Sequence, residues 1–330
     1  MKKLAVGIIG TGHLGSLHAK VLSKMDSVDL VGVYDIDTPK AEQVAAQFGT
    51  KHFEQLGELL GRVTAVSVVT TTKAHFNVAR ETIGKGIHTF IEKPITETID
   101  EAKQIVQEAD KQKVVLQVGH IERFNPAILA LYQYRVKPLF IESHRLAQFN
   151  PRGSDVAVVL DLMIHDIDLI LSLVRSPVSR IDANGVAVVS ESIDIANARL
   201  QFENGCVANV TASRISQNKM RKMRLFQQDA YISVDFSQGT AEVFRLVDEG
   251  DPGLKPTLML GQIEQGSKKR LIVYEQPEVK EVNSLEYELG LFVDAVQYGR
   301  EPAVTGRDGL QALEVAQQIL KTIESQTLKV

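Results

Sequence analysis

A chain of 330 residues, 44% of them hydrophobic, is long enough for two domains with sizeable cores. With 37 Lys and Arg against 41 Asp and Glu, its net charge of −4 carries no footprint for nucleic acid. No apolar run nears the roughly 20 residues of a membrane span, and a single cysteine excludes a disulfide framework.

Met1-Lys2-Lys3 and the apolar run after it are too short for a signal peptide and lead into glycines, not a cleavage site. A cytoplasmic chain is expected. Leu4-Ala5-Val6-Gly7-Ile8-Ile9 reads as a parallel strand covered on both faces. Gly10-Thr11-Gly12-His13-Leu14-Gly15 follows, then a helix over 13–25, a strand over 30–34 and Asp35. That order is the context in which G-x-G-x-x-G binds a dinucleotide. Gly10 allows the tight turn, Gly12 lets backbone approach a pyrophosphate, and Gly15 lets helix pack on strand. The helix N-terminus offers N–H groups to phosphate. Asp35 suits ribose hydroxyls and repels a 2′-phosphate, and Ile36 follows it where an Arg would favour NADP, so NAD is expected.

Further strands are predicted at 65–69, ending in Thr70-Thr71-Thr72, and at 88–91, ending in Glu92-Lys93-Pro94. His75 is expected to open the intervening helix. A polar helix over 99–112 precedes a strand at 114–118 that ends at Gly119-His120. Ligands of open α/β sheets bind beyond the carboxyl ends of the strands. The loop residues Gly10, Thr11, Gly12, His13, Leu14 and Gly15 are therefore the candidate cofactor site, with Asp35, Thr70, Thr71, His75, Glu92 and Lys93. Gly10, Thr71, Lys93 and Gly119 should line one crevice.

In the second half, Asn150-Pro151-Arg152-Gly153-Ser154 reads as a loop with Ser154 as N-cap. An apolar helix over 156–174 is interrupted by Asp161, His165 and Asp168, whose i, i+4, i+7 spacing puts them on one face. Asp166 lies about 100° away. An Asp beside a His in apolar surroundings suits acid–base chemistry. No third ligand or nearby cysteine suggests zinc, and no metal site is expected. Strands follow near 193–202, 206–213, 224–226, 230–234, 241–246 and 271–274, an antiparallel sheet with helices on one face. Cys206 falls in the second of them as a buried structural thiol. The other face needs a partner, so a homodimer or homotetramer through the sheet is expected. The stretch 248–267, rich in Gly and Pro, reads as a long loop or contacting arm. The basic run 219–224 reads as a solvated strand edge or an anion-facing patch. Helices are predicted over 284–298 and 309–325. The fold class is thus α/β: a doubly wound parallel Rossmann domain over 1–122, then an α+β domain over 123–330 with a large, open-faced, mainly antiparallel sheet. The last helix is free to pack back on the first domain.

The glycine loop with His18, Glu92-Lys93-Pro94, Asp161-x-x-x-His165 and the closing 302–309 segment together resemble the glucose–fructose oxidoreductase/inositol dehydrogenase (Gfo/Idh/MocA) family over nearly the whole chain. The resemblance implies a Rossmann domain, an open-faced α/β domain, and oxidation of sugar or cyclitol hydroxyls with a nicotinamide cofactor. It assigns the active site to Lys93, Asp161 and His165. One departure is Thr70-Thr71-Thr72, where many members carry a Thr-Pro or Asn-Pro step. The segments 119–126 and 159–168 resemble the subgroup acting on nucleotide sugars. The implied substrate is the C3 hydroxyl of UDP-N-acetylglucosamine, in the making of cell-envelope sugars such as those of lipopolysaccharide. Arg123, Asn125, Arg152 and His165 are the candidate substrate contacts, and Arg123, Arg152 and the basic run around Arg221 could meet a diphosphate. A structural salt bridge is the alternative for Arg123. Either His165, held by Asp161, or Lys93 could be the base. Inositol or a free sugar is the alternative substrate, and a dinucleotide sensor without turnover the alternative of another class.

Overall fold

A computed structural model describes residues 3–150, 156–248, 258–265 and 268–327. It divides into two compact units, Met1–Ile121 with Asn283–Glu314, and Glu122–Val282 with Val315–Val330.

The first unit alternates strand and helix: β1 (Leu4–Ile9), α1 (His13–Leu22), β2 (Val28–Tyr34), α2 (Thr38–Phe48), β3 (Lys51–His52), α3 (Leu56–Leu60), β4 (Ala65–Val68), α4 (Thr72–Gly84), β5 (His88–Glu92), α5 (Ile99–Gln112) and β6 (Leu116–Gly119). All six strands pair in parallel, in the order β3-β2-β1-β4-β5-β6. The direction of winding reverses between β1 and β4, which is where such sheets open a crevice at their carboxyl edge. Every residue of β4 and β6 is buried, as strands with helices on both faces require. α5 is started by a capping box, with Thr98 and Glu101 satisfying each other's backbone N–H. α4 starts at Thr72, earlier than the position expected from His75, with an extended Thr71 before it whose side chain makes no capping hydrogen bond.

The second unit carries α6 (Pro126–Ala130), β7 (Phe140–Leu146), a π-turn at Val159–Met163 that runs into α7 (Ile164–Val174), then β8 (Val178–Val186), β9 (Ile195–Phe202), β10 (Val207–Ser213), β11 (Met220–Phe226), β12 (Ala230–Asp235), β13 (Thr240–Asp248), β14 (Leu258–Gln265) and β15 (Lys268–Glu275). They form one nine-stranded sheet, β14-β15-β13-β12-β11-β7-β10-β9-β8. Only β7 and β10 pair in parallel; the other neighbours are antiparallel. Alternation sorts the residues: β7 buries Ile141, Ser143 and Arg145, while Phe140, Glu142 and His144 are half-buried on the other face.

Two expectations are corrected here. The stretch 248–267 is not one long loop, since 258–265 is β14. Gly250, Pro252, Gly253 and Pro256, which suggested a loop, all precede that strand and lie outside the described residues. The basic run is not a sheet edge either: β11 lies between β12 and β7. Lys222 and Arg224 alternate onto the half-exposed face, where they meet Asp235 and Glu142 at 3.3 and 3.6 Å.

Two late helices complete the chain. α8 (Ser284–Tyr298) gives Leu289, Phe292 and Val293 to the first unit's core, with Val6, Ile8, Leu22 and Phe90. α9 (Gly306–Thr327) begins in the first unit. There Gly309 lies so close to Val118 of β6 that a Cβ would meet its side chain at 2.6 Å. No described helix is long and apolar enough to cross a membrane.

Candidate active site

The glycine loop leaves β1 at the carboxyl edge of the first sheet. Gly10 has φ +98°, a left-handed conformation, and a side chain there would strike the Val69 carbonyl at 2.6 Å. At Gly15 a Cβ would stand 2.0 Å from the Gly10 carbonyl oxygen, so the helix can pack only on glycine. Gly12 differs: an added Cβ meets nothing within 4 Å, and its backbone faces open space at the N-terminus of α1. No side chain caps that terminus. These features fit a pyrophosphate, whose oxygens such N–H groups can receive. His13 and Leu14 lie exposed on the first turn of α1, and Thr11 is buried. Asp35 ends the neighbouring strand. Its carboxylate accepts hydrogen bonds from the Thr11 N–H at 2.6 Å, the Thr11 hydroxyl at 3.0 Å and the Asp37 N–H at 2.9 Å. Ile36 beside it is 92% exposed.

Further along this edge, Thr70 and Thr71 lead into α4. His75, one turn in, is buried and braces the backbone: Nδ1 lies 2.8 Å from the Pro94 carbonyl and Nε2 3.2 Å from the Thr70 carbonyl. Burial pushes its pKa down, against the pull of those carbonyls. It is therefore a brace between β4 and the Lys93-Pro94 step, which is cis. Glu92 ends β5 with its carboxylate turned inward. Oε1 lies 3.1 Å from His18 Nε2, and Oε2 accepts the Lys93 N–H at 3.3 Å. His18 Nδ1 in turn lies 2.8 Å from Ser67 Oγ. The sequence placed Glu92 and His75 among the cofactor-lining residues; both polar groups are engaged inside the unit. His18 stood in the motif without a task, and its partner Ser67 has no signature in the sequence.

In the second unit, Asp161 lies in the π-turn and His165 in the first turn of α7. The expected straight helix is widened at this point, a deviation that recurs at functional sites. Both residues are half-buried, whereas Asp168, expected to share their stripe, is 1% exposed. Asp168 takes a two-pronged hydrogen bond from Arg123, from Nε at 2.7 Å and Nη2 at 2.6 Å. Of the two readings of Arg123, this is the salt bridge. Asn125 is also engaged: Oδ1 accepts the Ala127 N–H as the cap of α6, and Nδ2 donates to the Phe236 carbonyl. Arg152 and the proposed cap Ser154 lie outside the described residues.

Asp166, next to His165, is held by Arg145, a residue that the sequence reading passed over. The buried Arg145 guanidinium donates to Asp166 Oδ1 at 2.7 Å and to Glu122 Oε1 at 2.8 Å. Burial pushes the Arg145 pKa down, but the two carboxylates outweigh it and raise it above its ordinary value. Arg221 faces Arg145 across the β11–β7 ladder. It is half-exposed and approaches Glu122 only to 3.9 Å. Cys206 is buried as expected, and burial pushes its thiol up to about 11.

Comparison with known proteins covers both units. Residues 4–120 match the oxidoreductase family with an NAD-binding Rossmann fold, and residues 130–242 match the GFO/IDH/MocA C-terminal domain. The chain is 35% identical over 329 residues to UDP-N-acetylglucosamine 3-dehydrogenase of Acidithiobacillus ferrooxidans, covering 98% of this chain and 99% of that one. The solved structure of that enzyme superposes with a TM-score of 0.87. Myo-inositol 2-dehydrogenase of Thermotoga maritima is 25% identical, covering 97% of this chain and 96% of its own. GenD2 from gentamicin A biosynthesis, solved in complex with NAD, is 20% identical, covers 98% of this chain and 95% of its own, and has a TM-score of 0.79, a likeness of fold.

Proposed function

From the premise that the chain belongs to the GFO/IDH/MocA family of NAD-binding oxidoreductases, we propose that it oxidises the C3 hydroxyl of UDP-N-acetylglucosamine to a ketone. The observation that carries this reading is the match to the Acidithiobacillus enzyme, 35% identical over 98% of the chain against 25% for the Thermotoga inositol dehydrogenase over a similar span. NAD, when bound, accepts the hydride from the sugar carbon. The residues suited to hold it are Gly10 to Gly15 at the pyrophosphate and Asp35 at the ribose, with Thr70 and Thr71 along the same edge. Asp35 and the exposed Ile36 offer no cation to a 2′-phosphate, which favours NAD over NADP.

His165 takes the hydroxyl proton, with Asp161 four residues before it stabilising the imidazolium that results. Lys93 donates a hydrogen bond to the oxygen as negative charge grows there. Of the basic residues considered for the diphosphate, Arg221 suits it best. Arg123 and Arg145 already serve buried carboxylates, while Arg221 is half-exposed and only loosely approached by Glu122. Arg152 remains a candidate by its place in the sequence.

The half-exposed face of the large sheet supports self-association. Phe140, Phe226, Tyr231, Phe244 and Tyr274 form one row of rings across five strands, with centroids 5.0–5.9 Å apart. A homodimer or homotetramer would cover it.

The test of substrate is direct. The protein is given NAD with UDP-N-acetylglucosamine, myo-inositol or glucose, with a hydrazine to trap ketone. Reduced nicotinamide is expected with the nucleotide sugar. Its appearance only with inositol or glucose would replace the proposed substrate, and its absence with every substrate would leave a dinucleotide-binding protein without turnover.

A further inference from the structure

Beside the proposed catalytic lysine stand a buried histidine and a mostly buried carboxylate that the proposed reaction does not use. His18 is fully buried on α1, and its ring is fixed from three sides. Nδ1 meets Ser67 Oγ, Nε2 meets Glu92 Oε1, and its edge contacts Phe90 with centroids 5.5 Å apart. Phe90 is in turn wedged by Phe292 at 5.8 Å. Phe90 and Glu92 are two residues apart on β5, so they share the sheet face that His18 covers. The Glu92 side chain is only 14% exposed. Across the ladder its partner is Gly119. A Cβ there would stand 3.0 Å from the carboxyl carbon and both oxygens, so the carboxylate lies in the space that glycine leaves. Its second oxygen accepts the N–H of Lys93 itself.

We propose that Glu92 and His18 are positioning residues for Lys93. The pair fixes a carboxylate beside the lysine and so keeps it an ammonium. An ammonium has three donors and no lone pair. Lys93 therefore steadies the reacting oxygen, and the proton leaves to another base. The proposal rests on the assignment of Lys93 to the chemistry but not on the identity of the sugar.

The charges coupled to Glu92 agree with this. Burial alone pushes the Glu92 carboxyl up, but the His18 hydrogen bond and the charges of His18 and Lys93 hold it below the usual carboxylate range. Such coupling is mutual, so the carboxylate favours the charged lysine as the lysine favours the carboxylate. From α4, His75 is the other titratable group coupled to Glu92, and burial pushes it down. It adds no competing positive charge at neutral pH.

The test reads the lysine without any turnover. The full-length protein is acetylated with trace acetic anhydride across a pH series, and labelling of Lys93 is followed by mass spectrometry against the other lysines. The wild-type midpoint is expected at or above the ordinary lysine value of about 10.4. Glu92→Gln should lower it by about one unit or more. His18→Gln, which retains an N–H donor, should shift it less than His18→Phe. A wild-type midpoint well below that of ordinary lysines overturns the proposal even if no variant folds. So does an unchanged midpoint in folded Glu92→Gln. A failed sugar assay leaves this measurement untouched, so the two readings fail separately.

Discussion

Lys93 stands at the end of a strand whose core residues Phe90 and Ile91 are fully buried, so its backbone is fixed while its side chain belongs to the edge. Lys93→Met should leave NAD affinity within about twofold and lower kcat by roughly 10²-fold or more, because the lost donor acts on the transition state. Equal losses of NAD affinity and kcat would make it a binding residue. His75 gives a different signal. Unfolded, it binds a proton near pH 6.5; folded, burial pushes its pKa down. The unfolded chain therefore holds more protons as pH falls below about 6.5, and stability drops through that window. His88, also pushed down by burial, adds the same sign. Urea midpoints compared at about pH 7.5 and about pH 5.5 should fall for the wild type and fall less for His75→Gln; equal drops would remove His75 as the cause. Lys93, Asp161 and His165 could be proposed from the sequence because their spacing and context are local. The task of His18 could not, since Ser67 and Glu92 lie 49 and 74 residues away.

At the scale of the element, the start of α7 is fastened to β7 by buried charge. Arg145 links Asp166 to Glu122, and Arg123 links to Asp168. A buried ion pair gives little net stability when intact, because desolvation offsets attraction, but breaking it strands the remaining partner. Arg145→Met should thus cost about 3–5 kcal/mol in chemical unfolding, since two carboxylates lose their cation. A cost under about 1 kcal/mol, the range of exposed pairs, would show that water reaches them. The periodicity of 156–174 announced a helix, and a helix is present. It could not announce the π-turn at Val159–Met163, nor separate Asp168 from the stripe, since the partner Arg123 lies 45 residues away. The strand β7 itself was missed: its buried face contains Ser143 and Arg145, which blur the apolar alternation that marks a strand.

For the whole molecule, the class of each half was legible from the switch between helical and alternating patterns, and the comparisons place both halves in one family. Two features of the complete protein are open to measurement. NADP should bind at least about tenfold more weakly than NAD, about 1.4 kcal/mol, and Asp35→Ala should narrow that gap. The row of rings on the large sheet predicts a homo-oligomer in light scattering, with Phe226→Glu shifting it toward monomer. A wild-type monomer would contradict that surface assignment. The central claim, that this chain moves a hydride from the C3 carbon of a nucleotide sugar, is tested most directly by isotope. UDP-N-acetylglucosamine carrying deuterium at C3 is incubated with the protein, NAD and a hydrazine trap, and the reduced cofactor is analysed by mass spectrometry. Deuterium in the reduced nicotinamide, matched by a trapped 3-keto sugar, is the predicted result; reduced cofactor without deuterium, or none formed, would contradict it.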